Sequence, residues 1–172
     1  MAIRITNSYI QKSTCRMKIG MTTDMQSVES LLLEEANVIE NETIRMLARL
    51  GEMCVNYARD RSPEESWNDQ TGNLRSSIGY AISRKGEVVL LSKFPAVKDG
   101  SEGSKTGKDL ALELAKRLSD DFALVLEAGM KYASDVEAMD NKDVLASAEL
   151  YGRNELPEML RQLGMKLNRK LK

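Results

Sequence analysis

The chain has 172 residues, 42% hydrophobic and 30% charged, with a net charge of −1. That is enough chain to bury a core, and the balance of apolar and charged residues excludes wholesale disorder and general polyanion binding. It has no histidine, which excludes Ser-His-Asp and Cys-His nucleophile arrangements and His-bearing zinc sites.

Residues 1–23 show no clear period and carry Arg4, Lys12, Arg16 and Lys18 with no acid. They read as a basic arm ahead of a single domain spanning 24–172. No apolar run approaches the length that spans a bilayer, and no signal-peptide h-region is present, so synthesis in the cytoplasm is expected. Cys15 and Cys54 lie in no metal-ligand spacing. Cys54 falls on an apolar stripe and reads as a small buried hydrophobe.

The longest periodic segment runs from Ser27 to about Arg59. Val28, Leu32, Ala36, Ile39, Met46, Leu50, Cys54 and Tyr57 recur at helical steps, with Thr23 or Asp24 as cap and Ser62-Pro63 as stop. A single rod of that length measures about 50 Å. This exceeds what a domain of this size covers, so a bend at Gly51 or near Asn41 and Thr43, or a projecting end, is expected. Its acidic residues Glu29, Glu34, Glu35, Glu40 and Glu42 read as a solvated face, or alternatively as the lining of a channel for DNA.

Asn68 to Gly72 is turn chemistry. Leu74 and Ile78 fit one helical turn on the core. Ile78, Tyr80 and Ile82 alternate as a half-buried strand, and Arg84-Lys85-Gly86-Glu87 forms a hairpin turn into Val88 to Leu91. Residues 95–107, rich in Gly, Ser and Lys, read as a mobile loop. A short helix follows over Lys108–Leu118, presenting Leu110, Leu114 and Leu118. Next come a buried strand at Phe122–Leu126, one helical turn at Tyr132–Val136 and a last strand at Val144–Ala148. The final helix is capped by Asn154, with Leu156, Leu160, Leu163, Leu167 and Leu171 on one face. From Arg153 to Lys172 this tail holds six bases and two acids. The fold expected is α+β: a long N-terminal helix packed on a small, mostly antiparallel sheet, with a C-terminal helix beside it.

Two segments stand out. One is Thr71-Gly72-Asn73-Leu74-Arg75-Ser76-Ser77-Ile78. The other is Gly129 to Glu137, with Tyr132-Ala133-Ser134-Asp135-Val136-Glu137 at its centre, followed by Asp143-Val144-Leu145. Together and in this order they resemble the head–tail joining, or tail-completion, neck proteins of long-tailed bacteriophages. The likeness spans roughly Ser27 to Ala148. The chain departs from that family after Glu137, where Ala138 to Lys142 replaces a Phe-Gly-Thr and proline-rich turn, and in the insert around Lys108–Leu118.

The resemblance implies a structural virion protein with no enzymatic activity and no cofactor. It implies a ring oligomer, six- or twelvefold, that meets connector or stopper and tail proteins, with DNA only as cargo and no membrane partner. Arg75, Tyr132 and Glu137 are the candidate interface residues. Each also has a plainer reading: Arg75 in the turn that starts a strand, Tyr132 as a near-core anchor, Glu137 as a solvated end residue. The alternative function is a cytoplasmic nucleic-acid-binding or regulatory module using the basic termini. No phosphate loop, metal cluster or carboxylate pair recommends catalysis.

Overall fold

The computed structural model describes residues 24–61, 67, 70–139 and 142–171. The basic arm at 1–23 with Cys15, the Ser62-Pro63 stop and the Asn68-Asp69 part of the turn lie outside the described residues.

Helix α1, Met25–Arg59, is one continuous element with Asp24 as N-cap, its side chain accepting from the Gln26 amide. The helix is unbroken at Gly51. A Cβ there would lie 2.7 Å from the Tyr80 ring, so the missing side chain seats that ring against the helix. The overlong rod is resolved by projection: the first buried residue of α1 is Glu42, and the preceding turns extend past the core.

After α1 come α2 (Asn73–Ser77), β1 (Ile78–Arg84) and β2 (Glu87–Leu91). Lys85 and Gly86 close the hairpin at φ 51° and 85°, the left-handed pair that matches the twist of two antiparallel strands. Strand β3 is Ala123–Ala128. The sheet has the order β2-β1-β3, antiparallel throughout, with Ile78 opposite Ala128, Tyr80 opposite Leu126 and a register shift between Ile82 and Ser83 on the β2 side. The α+β architecture is therefore as expected: a long N-terminal helix on a small antiparallel sheet with a C-terminal helix alongside.

Three local expectations are corrected. Residues 95–107 are not a loop throughout, because helix α3 runs Ser101–Lys116 and starts well before Lys108. Its buried face is Gly103, Gly107, Ala111 and Ala115, while Leu110, Leu114 and Leu118 are only half-buried. Small residues let the helix backbone lie close on the sheet and on α2, and the same glycines read as a loop when only composition is considered. Second, β1 is buried on both faces. Ile78, Tyr80 and Ile82 meet the α1 core, and Ala81 packs with Ala111 and Ala115 of α3. β3, by contrast, is an edge strand and mostly half-buried.

Third, Val144–Ala148 is not a strand. Helix α5 begins at Ala146 and runs to Lys170, so Asn154 and Pro157 lie inside it. Val144 and Ala148 are buried as expected of apolar core residues, but at a helix entry. α5 runs antiparallel to α1: Tyr151 stacks on Tyr57 with centroids 4.9 Å apart, Gly152 lies against the Cys54 sulfur, and Lys170 reaches Glu42. Of the five leucines expected on its inner face, Leu156, Leu163 and Leu167 are half-buried, while Leu160 and Leu171 face outward.

The main core joins Leu47, Val55, Ala58, Trp67, Leu74, Ile78, Tyr80, Ile82, Ala133, Val144 and Ala148. Leu74 is buried, at 3% exposed. Leu74→Ala is expected to cost about 2–5 kcal/mol, the range for deleting a buried leucine side chain. Denaturant unfolding measures it, and a midpoint within error of wild type would mean the site collapses around the gap.

Candidate functional site

The two segments that stand out in the sequence meet at one end of the sheet. Ile78 pairs with Ala128, the Gly129 amide donates to the Ser77 carbonyl (3.2 Å), and Leu74, Ile78, Ala133 and Val144 share one apolar cluster.

In the first segment, Gly72 sits at φ 83°, an ordinary glycine conformation and a strained one for other residues. Its carbonyl accepts the Ser76 amide at 2.9 Å. Asn73 Oδ1 accepts the Gly103 amide at 3.1 Å, and Ser76 Oγ accepts the Val97 amide at 2.9 Å. The Thr-Gly-Asn-Leu turn is thus the seat on which the first turn of α3 rests. One orphan amide of that helix is satisfied by Asn73.

Arg75 is half-buried. Its guanidinium donates to the Arg59 carbonyl at the end of α1 and lies 5.9 Å from the Trp67 ring centroid. A cation at a helix C-terminus is favourable on electrostatic grounds. Next to it, Arg59 donates to the Ile78 carbonyl at 2.5 Å, and burial lowers its pKa.

In the second segment, α4 (Ala133–Glu137) is the expected single turn. Tyr132 precedes it and is 39% exposed. It is therefore not the core anchor expected, and Ala133 takes that place because the small residue is the one that fits beneath the turn. Glu137 Oε1 accepts the amides of Leu145 (2.9 Å) and Ala146 (2.7 Å), and Asp143 Oδ1 accepts that of Ser147 (3.2 Å). Two carboxylates thus hold the start of α5, where orphan amides and the helix dipole favour negative charge. Asp143 is also ion-paired with Arg61. Its pKa is lowered, with burial opposing and the Ser147 and Arg61 hydrogen bonds prevailing.

Glu137→Ala is expected to lose about 0.5–2 kcal/mol, the usual cost of removing a helix cap. Glu137→Gln, which keeps one acceptor oxygen, should recover most of it. Equal unfolding midpoints for Glu137→Ala and wild type would show that water replaces the cap at no cost.

The roles of three acidic residues are not legible in the sequence. Glu42 lies under α5, its side chain buried, in contact with Lys166 (2.5 Å), Lys170 (2.6 Å) and Arg45 (3.1 Å). Its hydrogen bond from Lys166, then that from Lys170, brings its pKa down to about 2. It ties the end of α5 to α1 and is not part of a solvated acidic face. Glu40 likewise pairs with Arg84 at 2.5 Å. The spacing of acids along α1 could not reveal this, since the lysines come from a helix over a hundred residues away. Glu127 of β3 is buried, with neither oxygen partnered among the described residues, and desolvation raises its pKa to about 9. An acid in a six-residue apolar strand was the available signal.

Among the described residues no group of three or more His, Cys, Asp or Glu side chains could hold a metal ion. No helix there is long and apolar enough to cross a membrane. Comparison with protein-family models, curated proteins and solved structures finds no match for this chain.

Proposed function

We propose that this protein is a structural subunit of a tailed-phage virion, a neck or tail-completion protein that assembles into a ring and joins the head connector to the tail. The observation that carries this reading is the adjacency of the two neck-like segments. They lie some sixty residues apart in sequence, yet pack at one end of the sheet as a single unit around Leu74, Ile78, Ala133 and Val144. In such a protein the work is surface complementarity, and head-to-tail contacts that close give rings.

Of the three candidate interface residues, Arg75 and Glu137 have intramolecular work at helix ends. Tyr132, more exposed, is the better placed of the three to meet a neighbour. The test is complementation of a phage that lacks this protein, scored by electron microscopy. Unjoined heads and tails are expected without it, and joined virions with wild type restored. Normal virions in its absence would overturn the reading.

The alternative is a nucleic-acid-binding or regulatory module. It draws support from the C-terminal half of α5, where Arg161, Lys166, Arg169 and Lys170 fall with no acid between. Two of these cations are already shared with Glu42 and one with Glu158. A salt series of DNA binding separates the readings, because phosphate contacts give a steep salt dependence.

A further inference from the structure

α1 carries an apolar row at seven-residue spacing: Met25, Leu32, Ile39, Met46 and Met53. Met46 and Met53 pack beneath α5 with Leu50, Cys54 and Met159. Beyond Glu42, where α5 ends, the same row is uncovered, with exposure rising from 41% at Ile39 to 62% at Leu32 and 71% at Met25. Leu31 and Leu33 flank it at 59% each. This projecting end is acidic. From Asp24 to Glu42 it has six acids and no base, and Glu29, Glu34 and Glu35 have no ion pair among the described residues. A leucine cluster ringed by unpaired glutamates is an unusual thing to leave in water.

The complement lies on the same molecule. A groove of about 260 Å³ opens between α1 and α5, with Met46, Met159 and Leu163 among its walls. Arg45, Arg49 and Lys166 also line it, against the single acid Glu42, which is already satisfied by Lys166, Lys170 and Arg45. The groove is therefore apolar at its base and positively charged at its rim. It cannot be filled by its own chain's Leu31–Glu35, because that segment lies about three to four turns from Met46 along the same continuous helix.

We propose that the groove receives the projecting end of α1 from a second copy of this chain, with Leu32 entering it, Leu31 and Leu33 lying along its two edges, and Glu34 and Glu35 meeting Arg45 and Arg49. The contact is heterologous: a plug on one subunit, a socket on the next. Such contacts repeat and close into rings. This deepens the ring reading above, but it stands on the exposure and charge pattern alone.

The test is sedimentation of the full chain at low ionic strength over a wide concentration range, with matched charge reversals. Wild type is expected to self-associate, and added salt to weaken it. A plug-reversed chain (Glu34→Lys with Glu35→Lys) and a socket-reversed chain (Arg45→Glu with Arg49→Glu) should each stay monomeric alone. Mixed in equal amounts they should associate again, because each plug then faces a socket of opposite charge. Circular dichroism checks that the variants fold, and Arg49→Glu alone replaces the socket pair if that pair does not. A wild type that is monomeric throughout overturns the proposal, as does a mixture that fails to recover. Association that survives both reversals but is lost in Leu32→Ser would show an apolar pairing of like helices, which also overturns it. Head–tail joining in the phage is a separate readout, so either reading can fail while the other stands.

Discussion

Gly103→Ala is expected to destabilise the protein, and Gly164→Ala to stabilise it, although both put alanine for glycine inside a helix. Helix propensity alone favours alanine by about 1 kcal/mol at either site. At Gly164 nothing among the described residues lies within 4 Å of the new methyl group, so the propensity gain should appear nearly whole, as about 0.5–1 kcal/mol. At Gly103 the methyl would sit 1.9 Å from the Asn73 carbonyl oxygen and 2.6 Å from its carbon. Those are backbone atoms and cannot swing aside. α3 must lift off its seat, losing the Asn73 contact and the packing of Ala111 and Ala115 on the sheet. Overpacking of this kind costs about 1–3 kcal/mol, occasionally more. Denaturant unfolding of both variants against wild type gives the two signs. A stabilised Gly103→Ala would show that α3 does not rest on the Thr71–Ile78 segment.

Glu127→Met is expected to flatten the dependence of stability on pH. The Glu127 carboxyl has an ordinary value near 4.5, raised to about 9 in the fold because burial strips its charged form of water and no donor replaces it. The folded state therefore holds the proton more tightly than the unfolded chain does. Below 4.5 both states are protonated and the group costs nothing through this route. Between 4.5 and 9 the unfolded chain ionises while the folded one does not, and stability falls as pH rises by about 1.4 kcal/mol per unit. At neutral pH the deficit is about 3 kcal/mol. Methionine has similar length and no polar group, so the variant should exceed wild type by a constant margin in acid, where only the unsatisfied protonated carboxyl is removed, and by an increasing one toward alkaline pH. Parallel stability curves for the two proteins across that window would show that Glu127 ionises in the fold.

The elements whose signal is local were legible in the sequence. α1 follows from apolar residues at helical steps, with its start at Asp24. α2 follows from Leu74 and Ile78 four apart, the hairpin from Lys85-Gly86, and α4 from the short run around Ala133. The failures have a common cause. The first half of α3 reads as a loop because residues 95–107 are rich in Gly, Ser and Lys, Gly103 and Gly107 among them. They are helical because a glycine face is what close approach to Asn73 and Ser77 demands, and that demand exists only once α2 is in place. The start of α5 was read as a strand because Val144-Leu145-Ala146 is apolar and β-branched at one end. The amides that follow are held in helical form by Glu137 and Asp143, whose reach across a turn leaves no periodic trace.

The same division holds for the charged residues. Residue type and spacing determined that α1 is an acidic, leucine-bearing rod and that the chain's end is basic. Which acids are held was decided by the antiparallel docking of α5, which delivers Lys166 and Lys170 to Glu42 and ends there, and by β1, which delivers Arg84 to Glu40. Arg75 and Glu137 were visible as unusual residues in their segments. Only the packed structure shows that each meets the end of a helix other than its own, because a hydrogen-bond partner is fixed by where the backbone goes. Periodicity is a property of neighbours along the chain and is written in the sequence. Partnership between separated charges depends on tertiary geometry, and the coordinates alone decide it.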